Sequence, residues 1–141
     1  MDSSAPNFAA AESQFRLAAS KDSSGKSEFL LAKFLFERDR ASEAKLILEK
    51  SYDKGFTPAF TMTAKVICGE RGFGHLPLGL LNKLKEAAEQ GYAKAELLWL
   101  CNDKSASVFG MLRRSPKVLR LRREIAVREK RDGWVDPFLW G

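Results

Sequence analysis

The chain has 141 residues and a mass of 15.8 kDa, which is enough for one domain with a hydrophobic core. Hydrophobic residues make up 45% and charged residues 30%, a balance that excludes an intrinsically disordered chain. The net charge is +6, no apolar run is long enough to span a bilayer, and no secretory signal is visible at the start. Composition therefore predicts a cytoplasmic globular protein.

Helical periodicity runs through the sequence, and no stretch of strict alternation predicts a strand. Prolines that follow Thr57 and Ser115 are typical of helix starts, and Gly55, Gly91 and Gly133 stand where helices commonly end. These signals predict helices near 6–20, 27–38, 41–54, 58–69, 77–90, 93–102 and 116–131, with a short one near 105–113.

The helical part of the sequence contains an internal repeat. The pair Ala32-Lys33 recurs 32 residues later as Ala64-Lys65. In the following helix the offset becomes 36 residues, which places a four-residue insertion in the loop 69–76. The offset of 36 residues aligns apolar and glycine positions: Leu48, Gly55 and Ala59 correspond to Leu84, Gly91 and Ala95. The spacing predicts two helix–turn–helix units of about 34 residues, the length of a tetratricopeptide-type repeat.

Residues 85–95, Lys-Glu-Ala-Ala-Glu-Gln-Gly-Tyr-Ala-Lys-Ala, resemble the signature of Sel1-like repeats, and Gly72-Phe73-Gly74 resembles the inter-helix loop of that family. The resemblance implies an all-α, right-handed superhelical stack of antiparallel α-hairpins over residues 1–112. It also implies a non-catalytic adaptor or scaffold that binds a protein or peptide and through it regulates an enzyme or assembly.

The segment 113–131 has nine basic residues against two acidic ones, a net charge of +7, whereas the rest of the chain has a net charge of −1. Val118, Leu121 and Ile125 share one face of the predicted helix, so residues 113–132 form a basic amphipathic C-terminal helix. One interpretation is a terminal helix that covers the end of the stack with solvated arginines. The others are a surface for an acidic protein, an anionic membrane or nucleic acid. The segment lacks interleaved aromatic residues, which argues against nucleic acid.

The tail 133–141 carries five large apolar side chains in nine residues: Trp134, Val135, Phe138, Leu139 and Trp140. Burying one such side chain is worth about 1.5–3 kcal/mol, so leaving all of them in water would be costly. Three outcomes stay open: the tail folds back on its own stack, enters a second copy to form a homodimer, or docks elsewhere as an anchor.

Candidate chemical groups are few. Cys68 and Cys101 lie among apolar residues and are expected to be reduced thiols that act as small core side chains. His75 has no second ligand at metal-binding spacing, and the loop at Gly72 lacks the remaining glycine and lysine of a phosphate-binding motif. The sequence therefore predicts no catalysis, no cofactor and no metal.

The predicted task is binding of a protein or peptide partner, ahead of binding to nucleic acid or an anionic membrane surface through 113–131. On the helical stack, equivalent positions of successive units predict contacts from Lys33, Phe36 and Lys65. The other candidate partner-binding residues belong to the C-terminal helix and tail: Arg113, Arg114, Arg120, Arg123, Arg128, Trp134, Phe138 and Trp140.

Overall fold

The computed structural model describes residues 7–102 and 116–132, and within these ranges it contains seven α-helices and no strand. The all-α prediction is therefore confirmed for this part of the chain. The helices are α1 (Phe8–Lys21), α2 (Lys26–Phe36), α3 (Ala41–Asp53), α4 (Thr57–Arg71), α5 (Leu78–Glu89), α6 (Ala93–Asn102) and α7 (Pro116–Asp132). Each predicted helix in the described ranges is present with its ends shifted by no more than two residues, and the segments 105–113 and 133–141 lie outside those ranges.

The predicted helix boundaries follow from local backbone conformation. Gly55 and Gly91 adopt left-handed φ angles of 81° and 102° directly after α3 and α5. The turn after α2 contains no glycine, and Asp39 takes the left-handed position there with a φ of 58°. Aspartate tolerates this conformation better than most residues, which explains how the first predicted unit turns without a loop glycine.

The chain divides into two compact units, residues 1–59 and 60–141. In the first unit, α2 packs against both α1 and α3. Its core is formed by Leu31, Phe34, Leu35 and Ala44, with partly buried side chains from α1 and α3 around them. In the second unit, α6 packs against α5 and α7. The superhelical stacking of the hairpins, and the division into 1–112, 113–132 and 133–141, stay predictions.

Arg38 connects α1 to α2 through contacts with one aromatic ring of each helix. The guanidinium carbon of Arg38 lies 3.8 Å from the ring centroid of Phe8 and 4.2 Å from that of Phe34. The Phe15 ring packs on Phe34 with a centroid separation of 5.4 Å. Because a guanidinium is attracted to the face of an aromatic ring, this cluster stabilises a helix that has no fully buried residue of its own.

A buried polar cluster joins the start of α2 to the end of α3. Glu28, which is only 4% exposed, forms an ion pair with Lys54, and the Lys54 ammonium also donates to the carbonyl of Asp22 at 2.8 Å. The Ser51 hydroxyl donates to the Gly25 carbonyl at 2.6 Å. These bonds pair the Ser51 hydroxyl and one of the two carboxylate oxygens of Glu28, and they bring the two helix ends into close contact.

The surroundings of Gly25 show how closely the start of α2 approaches the end of α3. Its φ is 89°, and a Cβ atom added there would lie 3.0 Å from both the Phe56 Cβ and the Ser51 carbonyl oxygen. We expect Gly25→Ala to lower the free energy of unfolding by about 2 kcal/mol or more, through backbone strain and steric conflict. Gly55→Ala is the matched control, because Gly55 has a φ of 81° but nothing within 4 Å of an added Cβ. Equal losses in urea denaturation of the two variants would contradict the close approach at Gly25.

Four charged side chains link α1 to α3 at the surface of the first unit. Glu12 accepts from Arg40 at 2.7 Å and from Arg16 at 2.8 Å, and Arg40 also donates to Glu43 at 2.6 Å. Hydrogen bonds from Arg40, and then from Arg16, lower the pKa of Glu12 from 4.5 to about 2. The hydrogen bond from Arg40 likewise lowers the pKa of Glu43.

The lowered pKa of Glu12 predicts the direction in which the stability of the fold changes at acidic pH. Because the folded-state pKa of Glu12 lies below 4.5, its ion pairs stabilise the fold above that pH and are lost as the pH falls toward 2. We expect Glu12→Gln and Arg40→Met to be less stable than the wild type at neutral pH and to show a flatter decline of melting temperature over this acidic range. An unchanged acidic slope in both variants would contradict the network.

Candidate functional site

Helix α7 is held in the second unit by the apolar stripe that the sequence predicts. Val118 is fully buried, and Leu121 and Ile125 are 8% and 7% exposed. They form one cluster with Ala93 and Leu100 of α6. The spacing i, i+3, i+7 places all three on one side of the helix, so their burial leaves the opposite side facing outward.

An ion pair fixes the orientation of α7 on α6. The Lys94 ammonium, at the start of α6, lies 2.7 Å from a carboxylate oxygen of Glu129, near the end of α7. The side chains of Lys94 and Glu129 are 24% and 46% exposed, so the pair lies at the solvent-accessible edge of the apolar contact. The sequence predicts the stripe but not this contact, since residues 35 positions apart give no periodic signal.

The outward side of α7 combines positive charge with exposed aliphatic carbon. A shallow groove of about 320 Å³ on this side is lined by Arg120, Arg123, Glu124, Val127 and Arg128. Val127 is 58% exposed, and Leu119 on the same helix is 49% exposed. The structure therefore brings three predicted partner-binding residues together, and it adds an apolar element that the sequence prediction missed.

Helix α7 is basic, and most of its described basic side chains are exposed. Residues 116–132 include seven basic and three acidic residues, a net charge of +4. Arg120, Arg123 and Lys130 are exposed, whereas Arg128 is half-buried. Arginine beside exposed apolar carbon is typical of surfaces that bind other proteins, because the planar guanidinium pairs with carboxylates while its stem packs on apolar groups.

The other predicted residues lie apart from this surface or outside the described ranges. Lys33 is exposed in the first unit, and Phe36 is half-buried there, packed against the core. Lys65 lines a separate groove of about 270 Å³ in the second unit with side chains of α6 and α7. A surface shared by Lys33 and Lys65 stays a prediction. Five of the predicted residues lie outside the described ranges: Arg113, Arg114, Trp134, Phe138 and Trp140.

The cysteines and the histidine stand in ordinary surroundings. Cys68 and Cys101 are half-buried and do not form a disulfide, and His75 is exposed. The Cys68 sulfur lies 3.5 Å from the side-chain nitrogen of Asn102, a buried residue that also accepts from the Gly74 backbone N–H at 2.9 Å. Asn102 thus anchors the Gly72–Gly74 turn. Among the described residues, no group of three or more His, Cys, Asp or Glu side chains has an arrangement suited to a metal ion.

Comparisons with models of protein families, with curated proteins and with solved structures found no match for this chain. The Sel1-like relationship therefore stays a prediction. None of the described helices combines the length and the apolar character needed to cross a membrane.

Two valines on α7 test the two sides of the helix with the same substitution. We expect Val118→Ala to lower the free energy of unfolding by about 1–3 kcal/mol, because it removes buried methyl groups from the contact with α6. Val127→Ala should change stability by about 0.5 kcal/mol or less, because that side chain is largely exposed. Thermal denaturation measures both effects. A larger loss for Val127→Ala would contradict the assignment of the buried and outward sides.

Proposed function

We propose that this chain is a non-catalytic interaction module that holds an acidic protein or peptide against the outward side of α7. The observation that supports the proposal is the groove in which Arg120 and Arg123 flank the exposed Val127. We call this set, with Glu124 and Arg128, the α7 surface. Such a module serves as an adaptor or scaffold, and it regulates an enzyme or assembly by keeping a partner in place.

Physical arguments favour a protein partner over a polyanion. Phosphate-rich ligands are recognised mainly by charge, and they gain little from exposed aliphatic side chains between the arginines. A protein partner can place carboxylates opposite Arg120 and Arg123 and an apolar side chain on Val127. The presence of Glu124 within the same groove also fits a partner with mixed charge better than a uniformly anionic one.

A second candidate function is binding to nucleic acid or an anionic membrane surface through residues 113–131. The net charge of +4 on α7 favours it, since several arginines on one helix attract any polyanion. This function would use the arginines by their number rather than by their position around the helix.

Arg122 and Arg123 separate the two functions. Both are exposed and adjacent in sequence, but only Arg123 lines the α7 surface. The probes are an acidic amphipathic helical peptide of leucine and glutamate, a single-stranded RNA, and vesicles that contain phosphatidylserine. For the peptide, we expect Arg123→Gln and Val127→Ser to weaken binding about threefold or more, and Arg122→Gln to have a smaller effect.

Fluorescence anisotropy and vesicle co-sedimentation, each at several salt concentrations, measure these affinities. Binding to RNA or vesicles that is tighter than binding to the peptide, equally sensitive to Arg122→Gln and Arg123→Gln, and unchanged by Val127→Ser would instead support the second candidate. Peptide binding that disappears entirely at moderate salt would also contradict an apolar contribution from Val127.

A further inference from the structure

The first unit carries a groove with the opposite character to the α7 surface. It has a volume of about 500 Å³ and is lined by Arg16 and by residues along one side of α3. Leu46, in its lining, is 64% exposed, which is a large exposed fraction for a leucine. Arg16 and Glu43 already belong to the charged network of this unit, so Glu49, Lys50 and Asp53 supply the remaining charges. We call this groove, lined by Arg16, Glu43, Leu46, Ile47, Glu49, Lys50 and Asp53, the α3 groove.

The chemical groups along α3 match those along α7 when the two helices run antiparallel. Read forward, α3 presents an acidic, an aliphatic, a basic and an acidic residue: Glu43, Ile47, Lys50 and Asp53. Read backward, α7 presents a basic, an aliphatic, an acidic and a basic residue: Arg131, Val127, Glu124 and Arg120. The last three belong to the α7 surface, and Arg131 lies one helical turn beyond it. The steps are four, three and three residues on α3, and four, three and four on α7. Both series therefore follow one side of a helix over about three turns.

The mixed charges make this match specific. Lys50 is the only basic residue that α3 contributes to its groove, and Glu124 is the only acidic residue among those that line the α7 surface. The antiparallel register places these two opposite each other and places Ile47 opposite Val127. A parallel register would instead place Ile47 opposite Glu124 and Lys50 opposite Val127, burying charge against apolar carbon.

We propose that the α3 groove of one copy of this chain binds the α7 surface of a second copy in the antiparallel register. This inference rests on the proposed function, since it makes a second copy one acidic partner of that surface. The two surfaces differ, so the contact is heterologous. After the first contact forms, one copy still has its α7 surface unoccupied and the other copy still has its α3 groove unoccupied. Assembly therefore continues beyond a dimer unless the contacts close into a ring.

The contact is expected to be weak and sensitive to salt. One helix laid in one groove buries less area than a standard stable interface, and exposed ion pairs contribute little each. Exposed Leu46 and the aliphatic stem of Arg128 add apolar contact next to Val127 in this register. Sedimentation velocity at low ionic strength should therefore show a weight-average mass that rises with protein concentration and falls when salt is added.

Reversing one charge tests the register against simple attraction between a basic helix and an acidic groove. Glu124→Lys makes α7 more basic, so simple attraction predicts stronger association. The register predicts the reverse, because the new positive charge would oppose Lys50, and we expect association to weaken about fivefold or more. Lys50→Glu should weaken association by a similar factor, because it would oppose Glu124. Arg122→Glu is the control, since Arg122 is exposed on α7 but outside this series.

Mixing the two single variants provides the rescue. In the mixture, the groove of the Lys50→Glu variant places a glutamate opposite the new lysine of the Glu124→Lys variant. The groove of the Glu124→Lys variant keeps Lys50, which lies opposite the Glu124 of the other variant. An equimolar mixture should therefore associate more strongly than either variant alone, as the wild type does at half the total concentration, because each groove matches the helix of only half of the chains. The double variant should associate as the wild type does. Circular dichroism of each variant checks that the helices are intact.

Three results would overturn this inference. They are a wild-type mass that stays monomeric at all concentrations at low salt, stronger association of Glu124→Lys, and a mixture no more associated than its components. Each of them leaves the proposed function standing if the acidic peptide still binds the α7 surface. Conversely, self-association with rescue, together with loss of peptide binding, would restrict the α7 surface to contacts between copies.

Discussion

The burial of Val118, Leu121 and Ile125 against α6 is the interaction on which the proposed binding surface depends. A basic helix alone would present its arginines in every direction, and its net charge would be the main feature that a partner recognises. Docking through one stripe removes that freedom, because three buried side chains fix the rotation of the helix about its own axis. Arg120, Arg123 and Val127 then lie on one exposed side with a defined order. The function proposed for α7 uses that order, so it depends on the apolar contact with α6.

In the first unit, polar and cation–π contacts add to the apolar core. Its core aromatic and aliphatic side chains are few, and α1 contributes no fully buried residue. Polar and cation–π contacts connect the helices further: Arg38 lies against two phenylalanine rings, Glu12 pairs with Arg40, and the buried Glu28 pairs with the exposed Lys54. These contacts hold α1, α2 and α3 together while leaving one side of α3 uncovered.

Two unlike surfaces on one small chain give it properties that a single binding site would lack. An acidic partner at the α7 surface and a second copy of the chain would compete for Arg120 and Val127. Partner binding would therefore shift the assembly of the chain, and assembly would limit the number of sites open to a partner. This reciprocity follows from shared residues alone and requires no conformational change.

The sequence by itself determined the helices and the buried side of α7, because periodic apolar residues, Pro116, Gly55 and Gly91 act over a few neighbouring positions. It also identified Arg120 and Arg123 as candidates, but only through their charge. The tertiary structure decided which of the arginines share a groove with Val127, and it revealed the pairs Glu12–Arg40 and Lys94–Glu129. Those contacts join residues 28 and 35 positions apart, where no local rule specifies a partner. Local periodicity determines which side of a helix is buried, whereas only the packing of one helix on another determines what lies beside the exposed side.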